Sequence, residues 1–265
     1  MQPVGKRWLG ASNYKKVDDH PASDDHDEAL RAVLFERKLT KFQESAWKCM
    51  LYALLACTSG YALSKETFWR HTNEFWTECQ DSLPCKYEAS SAVNFAYALD
   101  MAFYTYAIPY LVFFEAKRKD YWATFCHHVA TVILIGYSFT MGWTKVGVVI
   151  MFLHDVADPF LELAKIAKYS NREALTNIFF VIFTFVWCSM RMVYFPFWVN
   201  WSVLFEGFPI AVGVGNRLAF PHYQILAGLL CFLQCLQAFW TYLILKVALN
   251  AVMSGAADDD REDSE

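Results

Sequence analysis

Charged residues are scarce in this 265-residue chain: they make up 19% of it, whereas hydrophobic residues make up 56%. That much apolar side chain exceeds what one soluble core of this length would bury. The basic residues form only short clusters, so the chain lacks the continuous basic stripe that nucleic-acid-binding proteins carry. The composition therefore predicts a membrane protein that does not bind nucleic acid.

The N-terminal region lacks the apolar segment that a secretory signal peptide requires. We expect the first hydrophobic segment to act as an uncleaved anchor. The His and Asp residues over 20–28 have the types of a metal cluster, but their polar surroundings favour a solvated tail. The predicted organisation is a cytosolic polar tail over 1–41, a membrane domain over 42–252 and an acidic cytosolic tail over 253–265.

Apolar runs close to the ~20 residues that a helix needs to cross a bilayer recur along the chain. The fold class that they predict is all-α, a polytopic transmembrane helical bundle of about six spans. The predicted spans cover residues 43–64, 92–114, 121–140, 145–167, 174–199 and 222–250.

Lys and Arg cluster before the first span and in the second and fourth connections, which all lie on one side of a six-span bundle. By the positive-inside rule that side, with both termini, is cytosolic. The loop that contains Cys79 and Cys85 then faces the lumen, where a disulfide can persist. A disulfide and two unpaired thiols are both consistent with the sequence.

Ionisable residues concentrate in the third and fourth spans. Each charge at the centre of a membrane helix costs about 2.5–3.5 kcal/mol on an insertion scale, so such residues usually mark a functional site. The third span carries a histidine pair and a threonine, and the fourth carries one histidine and three acids: His127, His128, Thr131, His154, Asp155, Asp158 and Glu162.

The spacing of these residues predicts one shared site. His154 and Asp158 are four residues apart, as are Asp158 and Glu162, so the polar residues of the fourth span can share one helix face. Pro159 lacks a backbone donor and is expected to kink this span. Adjacent histidines diverge by about 100° on a helix, so His127 and His128 are expected to have different roles.

There are two alternative interpretations of the cluster: a buried histidine that forms only structural hydrogen bonds, and a metal site. A zinc ion held by His127, His128, His154 and an aspartate is geometrically feasible. A di-iron site is disfavoured because too few histidines lie in the predicted spans. We therefore predict no metal.

Several stretches together resemble the signature of ceramide synthases, members of the TLC-domain superfamily. They are residues 117–120, 127–128, 153–158, 161–165 and 191–198. The resemblance extends from about residue 61 to 265. Two departures are Lys145, where arginine is expected, and His71 in Trp69-Arg70-His71, where phenylalanine is expected.

The resemblance implies a multi-pass N-acyltransferase of the endoplasmic reticulum membrane. By matching position, His127, His128, Asp155 and Asp158 are the catalytic residues, with His127 as acyl acceptor assisted by Asp158. His154, Glu162 and Thr131 are expected to support them. Imidazole can accept an acyl group or a proton, and a carboxylate orients it. Acyl-CoA is then a co-substrate, and no cofactor is expected.

The expected partners are acyl-CoA, a sphingoid base and membrane lipids, with a homo- or hetero-dimer as an assembly to test. Cytosolic basic residues are expected to contact the CoA phosphates: Lys117, Arg118, Lys119, Lys165 and Lys168. Such charges also determine the topology of membrane proteins. Acyl-chain length is expected to depend on the stretch 200–221. The alternatives are a non-catalytic TLC-domain lipid sensor or carrier and a proton-coupled transporter, for which the chain lacks repeat symmetry.

Overall fold

The computed structural model describes residues 24–80, 84–115, 119–213 and 219–254, and over these residues the chain is helical, with no β-strand. The prediction of an all-helical fold is thus confirmed for this part of the chain. The α-helices are α1 (Asp24–Ser64), α2 (Ser91–Phe113), α3 (Tyr121–Thr140), α4 (Thr144–Asp155), α5 (Asp158–Tyr169), α6 (Glu173–Trp187), α7 (Phe208–Gly213) and α8 (Ala219–Ser254). Short 3-10 helices cover Phe68–Arg70 and Thr72–Cys79, and π-helical segments cover Cys188–Asn200 and Ser202–Gly207.

Three helical stretches of the described residues are long and apolar enough to cross a membrane: Tyr121–Thr140, Glu173–Ala211 and Pro221–Asn250. A membrane protein is therefore supported, whereas the count of about six spans is not confirmed. One reason lies in the predicted fourth span. It consists of α4 and α5, which have 12 residues each. At 1.5 Å per residue each is roughly 18 Å long, shorter than the ~30 Å hydrocarbon core.

The break between α4 and α5 lies at Val156 and Ala157. Pro159 is the second residue of α5, where its missing N–H costs no intrahelical hydrogen bond. The expected distortion at this proline is confirmed, but it is a full interruption. The expectation of one continuous helix for the polar residues of the predicted fourth span was wrong, because His154 and Asp155 belong to α4 whereas Asp158 and Glu162 belong to α5.

The chain divides into two compact units, Met1–Tyr52 with Asp158–Phe183, and Ala53–Ala157 with Thr184–Glu265. In the first unit, Nζ of Lys38 donates a hydrogen bond of 2.6 Å to Oδ1 of Asn171. Burial lowers the pKa of this lysine. The thiol of Cys49 donates to the carbonyl of Pro159, with an S···O distance of 3.7 Å. These contacts join α1 to the first turn of α5 and to the turn that follows its last residue.

In the second unit, α2, α3 and α4 run antiparallel to their neighbours in sequence. Tyr97 of α2 contacts Ser138 of α3, while Tyr104, two turns later, contacts Asp155 of α4. The turn between α3 and α4 requires Gly142, since its φ is 73° and a Cβ would lie 2.6 Å from the carbonyl oxygen of Cys85. This arrangement places the C-terminal end of α4 beside the N-terminal half of α3.

A disulfide joins Cys79 and Cys85, whose Cα atoms are 4.4 Å apart. The bridged loop is tied to the turn before α4, because the amide of Cys85 donates to the carbonyl of Met141 at 3.0 Å. The two cysteines that the sequence singled out therefore close one small loop at the N-terminal end of α4.

Lys145, the second residue of α4, is buried against this loop. Its ammonium donates to the carbonyl of Glu74 at 3.0 Å and to Oγ1 of Thr77 at 3.1 Å, and it forms an ion pair with Glu78. It also lies 4.7 Å from the centre of the Tyr87 ring, a distance at which a cation is attracted to an aromatic face. The lysine found where the family resemblance leads us to expect arginine thus anchors the start of α4.

Candidate active site

His127 and His128 lie nearly two turns into α3. His127 is buried, and its Nδ1 has no hydrogen-bond partner within the described part of the chain. Its backbone carbonyl accepts a 2.8 Å hydrogen bond from Oγ1 of Thr131. The centres of the two imidazole rings are 5.6 Å apart, and the rings are inclined at 50°. They therefore point differently, as the helical geometry predicts.

His154, in the last turn of α4, brings a third imidazole to this place. Its ring lies nearly parallel to that of His127, at a centroid distance of 6.3 Å. Nδ1 is 2.8 Å from the carbonyl oxygen of Ile150. A carbonyl only accepts, so Nδ1 carries the hydrogen and Nε2 holds a lone pair in the neutral ring. Nε2 is buried and has no partner among the described residues, so it is available to a substrate proton.

Asp155 follows directly and is buried. Its Oδ1 accepts a 2.9 Å hydrogen bond from the hydroxyl of Tyr104. The Tyr104 ring also contacts both histidines of α3, with centroid distances of 6.3 Å to His127 and 5.7 Å to His128. Tyr104 of α2 therefore connects the carboxylate with the histidine pair. The sequence did not predict a role for this tyrosine.

Asp100, one turn before Tyr104, was also missed. It is buried beside the carboxyl group of Asp155. An ionisable residue one helical turn from a tyrosine in the second span is the signal that could have indicated it.

Arg191, at the start of the first π-helical segment, binds the end of α4 instead. Its guanidinium donates to the backbone carbonyl of His154 and, at 3.3 Å, to Oε1 of Gln237. It lies 3.9 Å from the centre of the Trp187 ring. A cation suits the last carbonyls of a helix, so Arg191 fixes the backbone that carries His154 and Asp155.

A cavity that is partly open to solvent lies beside these residues. Tyr104, His127 and His154 form its polar end. Beyond them the lining is almost entirely apolar and comes from α3, α4 and α8: Leu134, Ile135, Val146, Ile150, Met151, Leu226 and Leu233. The site thus combines histidine chemistry with a binding space suited to hydrocarbon.

The structure brings five of the predicted site residues together, namely His127, His128, Thr131, His154 and Asp155. Asp158 and Glu162 belong to the other compact unit. There Glu162 is buried and accepts a 2.7 Å hydrogen bond from Nζ of Lys165. The assistance of His127 by Asp158 therefore stays a prediction.

Among the basic residues assigned to CoA, Lys117 and Arg118 lie outside the described residues. Lys119 is exposed, and Lys168 is half-buried in the last turn of α5. Lys165 already forms an ion pair with Glu162. Within the described ranges no group of three or more His, Cys, Asp or Glu is arranged to hold a metal ion, so the geometric basis for a zinc site is not found there.

Residues 41–246 match the protein family described as TLC domain. Ceramide synthase LOH1 of Arabidopsis thaliana is 35% identical over 237 residues, which cover 86% of this chain and 74% of the relative. Ceramide synthase 1 LOH3 of the same plant is 32% identical over 233 residues, with 87% and 76% covered. Ceramide synthase 5 of Homo sapiens is 36% identical over 229 residues, with 86% and 55% covered.

Proposed function

This chain belongs to the TLC-domain family, and on that premise we propose that it is an N-acyltransferase that forms (dihydro)ceramide from a fatty acyl-CoA and a sphingoid base. The resemblance to ceramide synthases is confirmed by relatives that cover most of the chain, and at this level the protein is an acyltransferase enzyme. The observation that carries the proposal is that the imidazoles of His127 and His154 line the polar end of an apolar cavity, with His128 beside His127 and the carboxyl group of Asp155 bonded to the lining residue Tyr104.

In the first step, a ring nitrogen of His127 attacks the thioester carbonyl of acyl-CoA. The new N–C bond forms while the C–S bond breaks, and CoA leaves as a thiolate. Support for this role comes from the buried, unoccupied Nδ1 of His127 and from its place on the cavity wall. A histidine that forms a covalent intermediate divides one difficult transfer into two easier ones.

In the second step, the amine of the sphingoid base attacks the acyl carbon. The amide C–N bond forms and the bond from the acyl carbon to His127 breaks. The amine loses one proton, which we assign to Nε2 of His154 because that atom has a lone pair and no other partner in the described residues. This proton balances the one that the CoA thiolate gains. The reaction uses only side chains and needs no cofactor.

Asp155 and Tyr104 hold this arrangement. A buried carboxylate beside imidazoles stabilises the positive charge that develops on a histidine when it takes up a proton. The hydrogen bond from Tyr104 fixes Oδ1 of Asp155. Asp158 is part of the proposal by its position in the family signature alone.

Purified protein in detergent tests the proposal directly. Incubation with palmitoyl-CoA and sphinganine is expected to give N-palmitoyl-sphinganine, detected by mass spectrometry. The double variant His127→Ala, His128→Ala is expected to give none, while His71→Ala, an exposed histidine in the 3-10 region, serves as the matched control. Amide formation that survives the double variant, or binding of sphinganine without any amide, would support the lipid carrier instead.

The location and topology belong to the same proposal. Six crossings, cytosolic termini and an endoplasmic reticulum membrane would place the histidines where an acyl-CoA from the cytosol can reach them. Lys117, Arg118, Lys119 and Lys168 would then meet the CoA phosphates. Charge reversal of Lys119 and Lys168 together should raise the KM for acyl-CoA more than that for the sphingoid base. Copurification of two differently tagged copies tests a homodimer.

A further inference from the structure

The cavity follows the axis of α3 away from the histidines. The residues of α3 that line it are His127, Thr131, Leu134, Ile135 and Ser138, in this order along one face. From His127 to Ser138 the helix rises by about 16 Å. Antiparallel α4 lines the same space from His154 back to Val146. A hydrocarbon chain whose carbonyl lies at the histidines would extend along this face.

Three residues of three different helices pack together at the far end. The hydroxyls of Tyr97 and Ser138 are 3.0 Å apart. The backbone of Gly147 packs directly against that tyrosine, so that a Cβ on Gly147 would collide with the Tyr97 hydroxyl and would lie 3.1 Å from Oγ of Ser138. Ser138 and Gly147 line the cavity, and Tyr97 is buried behind them.

We infer that the cluster of Tyr97, Ser138 and Gly147 is the end of the acyl-chain site and sets the longest acyl chain that the protein transfers. This inference rests on the proposed function. No described residue of the stretch 200–221 lines this cavity, and the dependence of acyl-chain length on that stretch stays a separate prediction.

The physical reason is that a packed end wall does not yield to an additional methylene. Overfilling a well-packed apolar site forces neighbouring atoms apart. Tyr97 is held by its hydroxyl contact with Ser138 and by its ring contact with Phe139, at a centroid distance of 5.6 Å. An acyl chain one carbon too long would therefore displace a side chain held by two contacts.

The test is a competition among acyl-CoAs. Wild-type and variant proteins receive sphinganine with an equal mixture of myristoyl-, palmitoyl-, stearoyl-, arachidoyl- and lignoceroyl-CoA, and the amides are quantified by mass spectrometry. Ser138→Leu places a larger side chain at the end wall and is expected to move the product distribution to shorter chains. One methylene in an apolar pocket is commonly worth about 10-fold or more in discrimination, so we expect at least about a 10-fold lower ratio of the longest to the shortest amide.

Tyr97→Phe and Tyr97→Leu remove progressively more of the end wall and are expected to move the distribution in the opposite direction. Tyr97→Phe retains the ring and removes only the hydroxyl, so it serves as the milder variant if another does not fold. The matched control is Ile133→Phe, an addition of volume on α3 at a side chain that is 45% exposed and does not line the cavity. Its product distribution should equal that of the wild type.

The outcomes separate the two proposals. Opposite shifts for Ser138→Leu and Tyr97→Phe, with none for Ile133→Phe, support the end wall. Amides formed by folded variants with an unchanged length distribution overturn this inference and leave the proposed function intact. Wild-type protein that forms no amide from any acyl-CoA overturns both.

Discussion

The hydroxyl of Tyr104 donates a 2.9 Å hydrogen bond to Oδ1 of Asp155. Both side chains are buried, and they join the middle of α2 to the last residue of α4. A hydrogen bond to a charged group contributes about 1.5–3 kcal/mol. The carboxylate of Asp155, next to His154 in the sequence, is therefore positioned by a residue from a different helix. Loss of the Tyr104 hydroxyl is expected to change the position of this carboxylate.

Tyr104→Phe is expected to reduce amide formation by about 10- to 100-fold, because 1.4 kcal/mol corresponds to a factor of ten. The ring that packs against both histidines remains, so a decrease in kcat with a smaller change in the KM for acyl-CoA is expected. Steady-state kinetics of the purified protein measures both.

The control for this variant is Tyr106→Phe, which removes a hydroxyl from a half-exposed tyrosine of the same helix. Equal losses of activity in the two variants, or a melting temperature that falls in parallel with the activity of Tyr104→Phe, would mean that the Tyr104 hydroxyl matters only for stability.

The two half-reactions can be separated at His127 and His154. With acyl-CoA alone, intact-protein mass spectrometry of the wild type is expected to show a mass gain equal to one acyl group. His127→Ala should remove this gain. His154→Gln should retain it and should transfer the acyl group to sphinganine at least about 100-fold more slowly, since general base catalysis contributes 10²–10⁴-fold.

His154→Asn is the matched comparison, since its amide can replace the Nδ1 contact with Ile150 and still provides no base. If either variant of His154 transfers the acyl group at the wild-type rate, Nε2 does not take the proton. If His127→Ala retains the mass gain, the acyl acceptor is a different residue.

The sequence predicts single helices well where a continuous apolar run is bounded by polar residues. The predicted span 121–140 coincides with α3, and 92–114 differs from α2 by one residue at each end. The sequence predicts helix boundaries less well where a local feature begins or interrupts a helix. Hydropathy does not detect the interruption before Pro159, because a window long enough to span the membrane averages over a break of two residues. The sequence also places Asp24 inside the predicted polar tail, whereas α1 begins there.

Only part of the site was predicted from the sequence. Histidines and acids in apolar runs are visible in a sequence, so His127, His154 and Asp155 were found. Their partners were not, because the sequence does not state which helices are neighbours. Tyr104 resembles any other membrane tyrosine, and nothing in the sequence indicates that Arg191 binds the end of α4.

Arg191→Lys is expected to lower activity although it retains the charge. Lysine is a single point donor and cannot reproduce the planar fork by which Arg191 reaches both the His154 carbonyl and Gln237. The product yield per folded protein measures the effect, with Arg172→Lys, a change at an exposed residue, as the control. An Arg191→Lys protein as active as the wild type would show that one contact to the α4 carbonyl suffices.

The Cys79–Cys85 disulfide is expected to contribute about 2 kcal/mol to stability, the order given by chain entropy for a short loop. Alkylation without reductant should leave these two cysteines unmodified in peptide mass spectra, and reduction should make both reactive. The double variant Cys79→Ala, Cys85→Ala should melt at a lower temperature, whereas Cys57→Ala, which replaces an exposed thiol, should not. A double variant with the wild-type melting temperature would contradict this role.

The ion pair between Lys145 and Glu78 predicts a pH dependence of stability. Burial raises the pKa of Glu78, but hydrogen bonds from Lys145 and Thr77 and the charge of Lys145 together lower it below its ordinary value of 4.5. A carboxyl whose pKa is lower in the folded state stabilises the fold above its unfolded pKa, and that contribution is lost as the pH falls through the folded value. Glu78→Gln should therefore melt at a lower temperature than the wild type at pH 7, and the difference in melting temperature should shrink below about pH 4.5.

Glu88→Gln, at an exposed glutamate of the same region, should have the melting temperature of the wild type at every pH. A difference between Glu78→Gln and wild type that stays constant down to pH 3 would mean that the carboxylate of Glu78 does not stabilise the start of α4 through its charge.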